Sequence, residues 1–396
     1  MQNNLNDSSL NAKENLSTEL RFLVNCCKTD PSEEDINLIQ NTLSTIDHQL
    51  LTSMANHHGI LPLVYKTLKN LHSDHQSSTT NHEILSAFKK QYLIIAQRNI
   101  LMSAELIRIM KLLKENGIEA IAFKGPTLAQ IAYDDITLRQ YGDLDILTRK
   151  KDIYKIDTLL KTQGYERLLS LTDVQEELWI ENTHDLSFSH PKKAIYLEMH
   201  WSFLDEDYPL QVKLEDFWEE TQILQINGHT VSTFSNENML LYLCIHGSKH
   251  LWERIEWIID LDLLIRKNEI DWKELMKKTE GTGFEKMVYL GLSLSTSLFN
   301  TLLPEIILKQ IANYPEIDDI SKFILESWQN PKNTIEETGT MLKLFPGVKE
   351  QTLYLHKVIL KPSLNEYRYV DLSKRFYWGY YLIRPYLLMK KYLTKS

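Results

Sequence analysis

Residues Tyr141–Leu147 read YGDLDIL, a short apolar run carrying two carboxylates, Asp143 and Asp145, with one leucine between them. The segment after Gly142 has the composition of a strand entering a core. Strand alternation puts Asp143 and Asp145 on one face, roughly 7 Å apart along the chain. Like charges at that spacing repel, and burying them unpaired is costly. A divalent cation removes the conflict. Mg2+ takes oxygen ligands, and one or two carboxylates suffice when substrate phosphates and water complete its shell. The pair therefore reads as a metal-binding element on a strand.

The flanking sequence adds partners for such an element. IEAIAFKG (118–125) is short, apolar and strand-like, and PTLAQIAY (126–133) opens with Pro126 as a helix N1 residue. Lys124-Gly125 thus falls at a strand-to-helix turn. A glycine there lets a phosphate approach the backbone, the helix start faces it with N–H groups, and Lys124 adds charge. Arg139, four residues before Asp143, can pair with phosphate oxygens or serve as a structural partner of Asp134 or Asp135. Downstream, HDLSFSH (184–190) and AIYLEMHWS (194–202) flank Pro191-Lys192-Lys193 and read as a hairpin. Alternation puts Ile195, Leu197 and Met199 on one face and Tyr196, Glu198 and His200 on the other. Glu198 is a third carboxylate, able to complete the metal site or to take a proton from an attacking hydroxyl. His200 shares that face and either positions the carboxylate or touches substrate; the structural alternative is a half-buried histidine beside Trp201.

The rest of the chain is mostly helical in period. MQNNLNDSSLNAKE is polar and reads as a disordered start, and 16–71 has helical spacing. His72–Glu83 reads as a surface loop. A long helix is expected over Glu83–Asn116, with Leu85, Phe88, Tyr92, Ile95, Ile100, Ala104, Ile107 and Leu112 inward, closed by Gly117. Lys151–Tyr165 is an amphipathic helix ending at Gly164, and the pattern from Asn236 onward is helical. The expectation is an α+β fold: a small mixed sheet over 84–234, an N-terminal helical region over 1–83, and a C-terminal helical domain over 235–396, with helices walling a cleft.

Bulk properties narrow the function. A length of 396 residues suits two or three domains. A net charge of −9 argues against a general nucleic-acid coat protein. Cys26, Cys27 and Cys244 form no disulfide framework, so a reducing cytoplasm is expected. The N-terminus lacks a signal-peptide pattern. The most apolar stretch, FYWGYYLIRPYLLM (376–389), is broken by Arg384 and Pro385, so no membrane span is expected. His246 and His250, with Cys244 nearby, invite a zinc reading, but ligands are too few and the His-x-x-x-His interval holds no Glu. That helix reads as structural or as a cleft wall, with Lys249, Arg254 and Asp260 as polar candidates. Residues 357–396 carry nine Lys/Arg against two acids, interleaved with Tyr367, Tyr369, Tyr377, Trp378, Tyr380 and Tyr381. Such a mix suits base stacking or a membrane surface; we read it as an amphipathic helix with its aromatics inward.

Lys-Gly at a turn, a short helix, an Arg, Asp-x-Asp on a strand and a later strand carboxylate together resemble the polymerase-β-like nucleotidyltransferase superfamily. More closely, the chain resembles the uncharacterised nucleotidyltransferase family through FKGPTLAQIAYDDITLRQYGDLDILTRKKD (123–152) and LEMHWSF (197–203). HHGILPLVYKTL (57–68), HGSKHLWERIEWIIDLDLL (246–264) and KLFPG (343–347) also match. The resemblance implies Mg2+ (or Mn2+) on Asp143, Asp145 and Glu198, and a nucleoside triphosphate such as ATP held by Lys124, the Gly125 backbone, Arg139 and His200. The expected reaction moves a nucleoside monophosphate to a hydroxyl or phosphate acceptor that the resemblance does not name; the acidic net charge favours a small molecule or protein over RNA. One departure is Gly125-Pro126 where the superfamily has Gly-Gly or Gly-Ser, which removes an N–H and a hydroxyl from the phosphate site. Two alternatives stay open: a toxin-like transferase acting on tRNA, and a non-catalytic module that binds a nucleotide or a partner protein.

Overall fold

In the computed structural model, which describes residues 16–74 and 79–393, the chain opens with four helices: α1 (Thr18–Cys26), α2 (Glu33–Thr42), α3 (His48–His57) and α4 (Leu61–Asp74). Ser17, Ser32 and Asp47 cap the first three, their side-chain oxygens accepting first-turn N–H groups. The long helix α5 (Thr79–Glu115) starts four residues earlier than expected and closes before Gly117, whose φ is +66°. Helix therefore replaces both ends of the loop expected over His72–Glu83. Leu71 packs against the core and Ile84 is buried in it, and this burial overrides the polar local composition. The middle of that loop, 75–78, and the expected disordered start lie outside the described residues.

Strand β1 (Ala120–Ala122) leads through Lys124 into a one-turn helix, α6 (Gly125–Leu128), continuous with a π turn over Ala129–Tyr133. Pro126 takes the second helical position rather than the first. There follow β2 (Asp143–Thr148), α7 (Ile153–Thr162), β3 (Glu166–Arg167), α8 (Asp173–Asn182), β4 (Asp185–His190) and β5 (Ile195–His200). The sheet order is β1-β2-β5-β4-β3, with β2 and β5 parallel and the other neighbours antiparallel. The expected hairpin is β4–β5. Helix α9 (Leu214–Glu219) precedes a separate hairpin, β6 (Thr221–Ile226) and β7 (His229–Phe234). Its turn is Asn227-Gly228, with φ of +50° and +78°, the two left-handed residues that match hairpin twist.

The remainder is helical: α10 (Asn236–Lys249), α11 (Ile255–Lys267), α12 (Trp272–Thr279), α13 (Glu285–Phe299), α14 (Glu305–Ile311), α15 (Glu316–Ser327), α16 (Thr334–Lys343), α17 (Val348–Leu360), α18 (Leu364–Tyr369) and α19 (Tyr380–Leu393). The architecture is α+β, a small mixed sheet between helical regions.

Two apolar cores position the site. Leu144 and Ile146 of β2, Leu197 and Met199 of β5, and Phe188 of β4 share one core with Met102, Leu106, Ile109 and Leu113 of α5 and Ile153, Ile156 and Leu160 of α7. Each such side chain contributes about 1.5–3 kcal/mol when fully buried. This burial also fixes register. A one-residue slip of β2 would drive Asp143 and Asp145 into the core and expose Leu144 and Ile146. The opposite face of β2 and β5 meets the second core, where Phe123, Leu147, Phe203 and Tyr242 pack with the C-terminal helices.

Candidate active site

Parallel pairing aligns Asp143 with Tyr196, Asp145 with Glu198 and Leu147 with His200. Facing residues on adjacent strands share a side of the sheet, so both aspartates, Glu198 and His200 project together. Ligand atoms of Asp145, Glu198 and His200 lie within 4.8 Å of one another, the one such metal-compatible cluster among the described residues. Asp143 lines the same cleft, one step along the strand. No cluster unites Cys244, His246 and His250, in keeping with the poor zinc spacing.

Lys124 and His200 meet on Asp145. Lys124 Nζ donates to Asp145 Oδ1 at 3.3 Å, and His200 Nε2 lies 3.3 Å from the same oxygen and 3.4 Å from Glu198 Oε2. The second oxygen, Asp145 Oδ2, is buried without a hydrogen-bond partner. Burial works against ionisation of Asp145, but Lys124 and His200 outweigh it and bring the carboxyl down to about 2. Burial and then the charge of Asp145 push Asp143 up to about 6, with Lys124 opposing. Burial likewise disfavours an imidazolium at His200, yet Asp145 and Glu198 raise it to about 9. Burial opposes the Lys124 charge too, and Asp145 holds it well above the ordinary lysine range. The cluster is thus three carboxylates against one lysine and one histidine, with a buried lone oxygen. Hard oxygen donors with surplus negative charge fit a divalent ion.

Gly125 has a φ of +50°, and a Cβ there would lie 3.2 Å from the Asp143 carbonyl oxygen. The glycine lets the Lys124 turn press against β2. It is buried and does not line the cleft.

Arg139 lines the cleft but spends its guanidinium on the helical wall. Its Nε and Nη2 donate to the two oxygens of Asp260 at 2.9 Å each. Tyr133 Oη donates to Asp260 at 2.8 Å, and Glu256 lies 3.9 Å from Arg139 and 3.2 Å from Arg254. The sequence offered Asp134 and Asp135 as structural partners; the acids that bind it come from α11 instead. A signal was present: Glu256 and Asp260 are four apart on a largely apolar helix, so both face one way, and buried acids need a cation. Burial pushes Glu256 up to about 7, opposed by Arg139 and Arg254. Gly59 (φ +73°) packs here as well, since a Cβ would collide with Glu256 Oε2. That contact gives the HHGIL stretch a structural reason.

Helix α10 supplies the remaining wall. His246, Lys249 and His250 line the cleft with Trp257, whose ring lies 5.0 Å from His246 and 5.7 Å from His250. Burial, then the Lys249 charge, lowers His250 to about 4, and burial, then Lys124, holds His246 well below the usual range, so both are neutral. Lys249 Nζ has His184 Nε2 at 3.4 Å and is in no ion pair among the described residues. His184 is fixed by Asp205 at 2.6 Å, and Asp205 also binds Lys357 of α17 at 2.6 Å. The cleft so bounded measures about 470 Å³.

The comparisons with known proteins follow this geometry. A family model described as uncharacterised nucleotidyltransferase matches residues 44–300, more than half of the chain. No curated protein matches. Among solved structures, the chain is similar to an antigenic nucleotidyltransferase-like protein from Paracoccidioides brasiliensis, at 16% identity and a TM-score of 0.32, over 52% of this chain and 96% of that one.

Proposed function

We propose that this chain, which belongs to the uncharacterised nucleotidyltransferase family, moves a nucleoside monophosphate from a nucleoside triphosphate to a small-molecule or protein acceptor with Mg2+ or Mn2+. The acceptor hydroxyl or phosphate oxygen forms a bond to the α-phosphorus, the Pα–O bond to the β-phosphate breaks, and pyrophosphate leaves. The observation that carries this reading is the in-register pair Asp145–Glu198, whose oxygens cluster with His200 while one Asp145 oxygen lacks a partner.

Asp143, Asp145 and Glu198 would hold the divalent ion, which when bound supplies charge to the phosphates and lowers the pKa of the nucleophile. His200 and Lys124 hold Asp145 in place and ionised. Glu198, more accessible than Asp145, receives the acceptor's proton. Lys124 faces the β- and γ-phosphates. Arg139, its charge matched by Asp260, clamps α11 to the π turn. Lys249, in no ion pair among the described residues, joins Lys124 as a phosphate-binding cation from α10. A cleft of about 470 Å³ fits a nucleotide-sized ligand. The net charge of −9 weighs against tRNA as acceptor.

The test is labelling with each of the four α-³²P nucleoside triphosphates, with Mg2+ or Mn2+ and a cell extract fractionated into RNA, protein and small molecules. Label in the small-molecule or protein fraction, absent with Asp143→Asn/Asp145→Asn, is the expected result. Label in RNA favours the tRNA-directed alternative. No label, together with no metal-dependent nucleotide binding, overturns the catalytic reading.

A further inference from the structure

Among the described residues, none after Trp257 lines the cleft, yet the C-terminal segment carries a surface of its own. The sequence suggested aromatics packed inward; the structure divides them. Tyr380 is fully buried and donates its hydroxyl to the Val370 carbonyl at 2.7 Å. Arg384 turns inward to Glu366, 3.4 Å away and itself buried. The outer side of the same helix is apolar. Leu382, Tyr386 and Met389 are 64%, 50% and 58% exposed, and Trp378, one turn earlier, is 62% exposed. Leu382, Tyr386 and Met389, spaced four and three apart, share one face of α19, and Trp378 lies just before it in the 3-10 turn Lys374–Gly379. Phe376 and Tyr381 extend the patch at its near end. A contiguous apolar face of this kind on a monomer's surface marks a docking site.

The charge around the patch names the partner class. Residues 367–396 hold seven Lys/Arg against one acid, Asp371. Arg375 is exposed beside Phe376, and Lys390 is exposed beside Met389. We infer that the outer face of α19 lies on an anionic lipid surface, with Trp378, Leu382, Tyr386 and Met389 entering the headgroup boundary and the basic residues meeting lipid phosphates. Trp and Tyr suit that boundary because each has an apolar ring and a polar tip. Aliphatic Leu382 and Met389 offer nucleic-acid bases no ring to stack on. A symmetric contact with a second copy would set the basic fringe against itself. The mode is interfacial, since no described helix is long and apolar enough to cross a membrane.

The inference is independent of nucleotidyl transfer and is tested on the full chain. The protein is pelleted with vesicles of phosphatidylcholine alone, or with about 30% phosphatidylglycerol added. Salt-sensitive binding to the anionic vesicles is expected, about tenfold or more above binding to the neutral ones. Leu382→Asp/Met389→Asp is expected to lower it about tenfold or more. Arg375→Glu/Lys390→Glu is expected to lower it at low salt and to flatten its salt dependence. These positions are exposed, so circular dichroism and nucleotide labelling should match the parent. No pelleting of the folded parent, equal pelleting with neutral vesicles, or unchanged pelleting of both variants overturns the inference. So does a dimer seen by light scattering, or an RNA complex seen by gel shift, that the first variant dissolves while vesicle binding is nil.

Discussion

The molecule holds two groups of acids beside one cleft, and they solve the same problem differently. Asp260 and Glu256 are matched by Arg139 and Arg254, with both oxygens of Asp260 satisfied at 2.9 Å by one guanidinium. Asp143, Asp145 and Glu198 have only Lys124 and His200, and Asp145 keeps a buried oxygen without a partner. In the first group the two acids are matched by two guanidinium groups, although Glu256 Oε1 is also buried without a hydrogen-bond partner, 3.9 Å from Arg139. The second is open, over-supplied with negative charge, and faces a cleft of about 470 Å³. The contrast separates a structural network from a cluster whose donors suit a cation, although both use Asp, Glu and a basic partner.

The largest effect should come from the open group. Asp145→Asn is expected to lower nucleotidyl transfer by roughly a thousandfold or more, measured by label transfer, while Asp260→Asn should act mainly on stability. Equal losses of turnover at unchanged stability for both would erase the distinction. In the first group, Arg139→Met leaves the buried Asp260 without its cation and is expected to cost about 3–5 kcal/mol in chemical denaturation. Arg139→Lys keeps the charge but loses the two-pronged geometry, so it should recover only part of that.

A gentler probe is the metal itself. Saturating Mg2+ or Mn2+ at about 100 times its Kd should stabilise the protein by about 2.7 kcal/mol, read as a rise in Tm that disappears in Asp143→Asn/Asp145→Asn and persists in Asp260→Asn. Gly125→Ala should cost roughly 1–2 kcal/mol, because φ is +50° and the Asp143 carbonyl is close. It should also lower transfer by shifting the Lys124 turn.

The smallest effect concerns a third, closed group under the sheet. Glu105 accepts from Arg108, Lys193 and Tyr165. Burial opposes its charge, but Arg108 and Lys193 outweigh it and draw its carboxyl down to about 2. A depressed carboxyl stabilises fully above its unfolded value, roughly 4.3. That stabilisation fades as the pH falls toward about 2. Glu105→Gln should therefore be less stable than the parent at pH 6, with the gap narrowing below pH 4 in urea melts. A gap that holds constant with pH would remove the charge from the account.

Much of this was readable in the chain because local rules decide it. Alternation alone puts Asp143 with Asp145, and Glu198 with His200, on one face of their own strands; the parallel pairing of β2 with β5 brings the two faces together. Gly117 and Gly164 end helices because a left-handed φ is cheap only for glycine. The Asn227-Gly228 turn of the second hairpin was equally legible, though the hairpin was not anticipated. Boundaries were less so: β1 is three residues long, and α5 reaches back to Thr79 because burial at Ile84 extends it.

The sequence by itself determined the strand-borne carboxylates, the Lys124 turn and the α+β class, since each rests on spacing along a few residues. Tertiary structure alone decided which acid faces which cation. Arg139 and Asp260 are 121 residues apart, and only the packing of α11 against the π turn brings them together. It decided that Lys249 faces the cleft, and that α19 turns Arg384 inward and Leu382 outward. Helical period shows that a helix has two faces; which one is covered depends on what the rest of the chain brings to it.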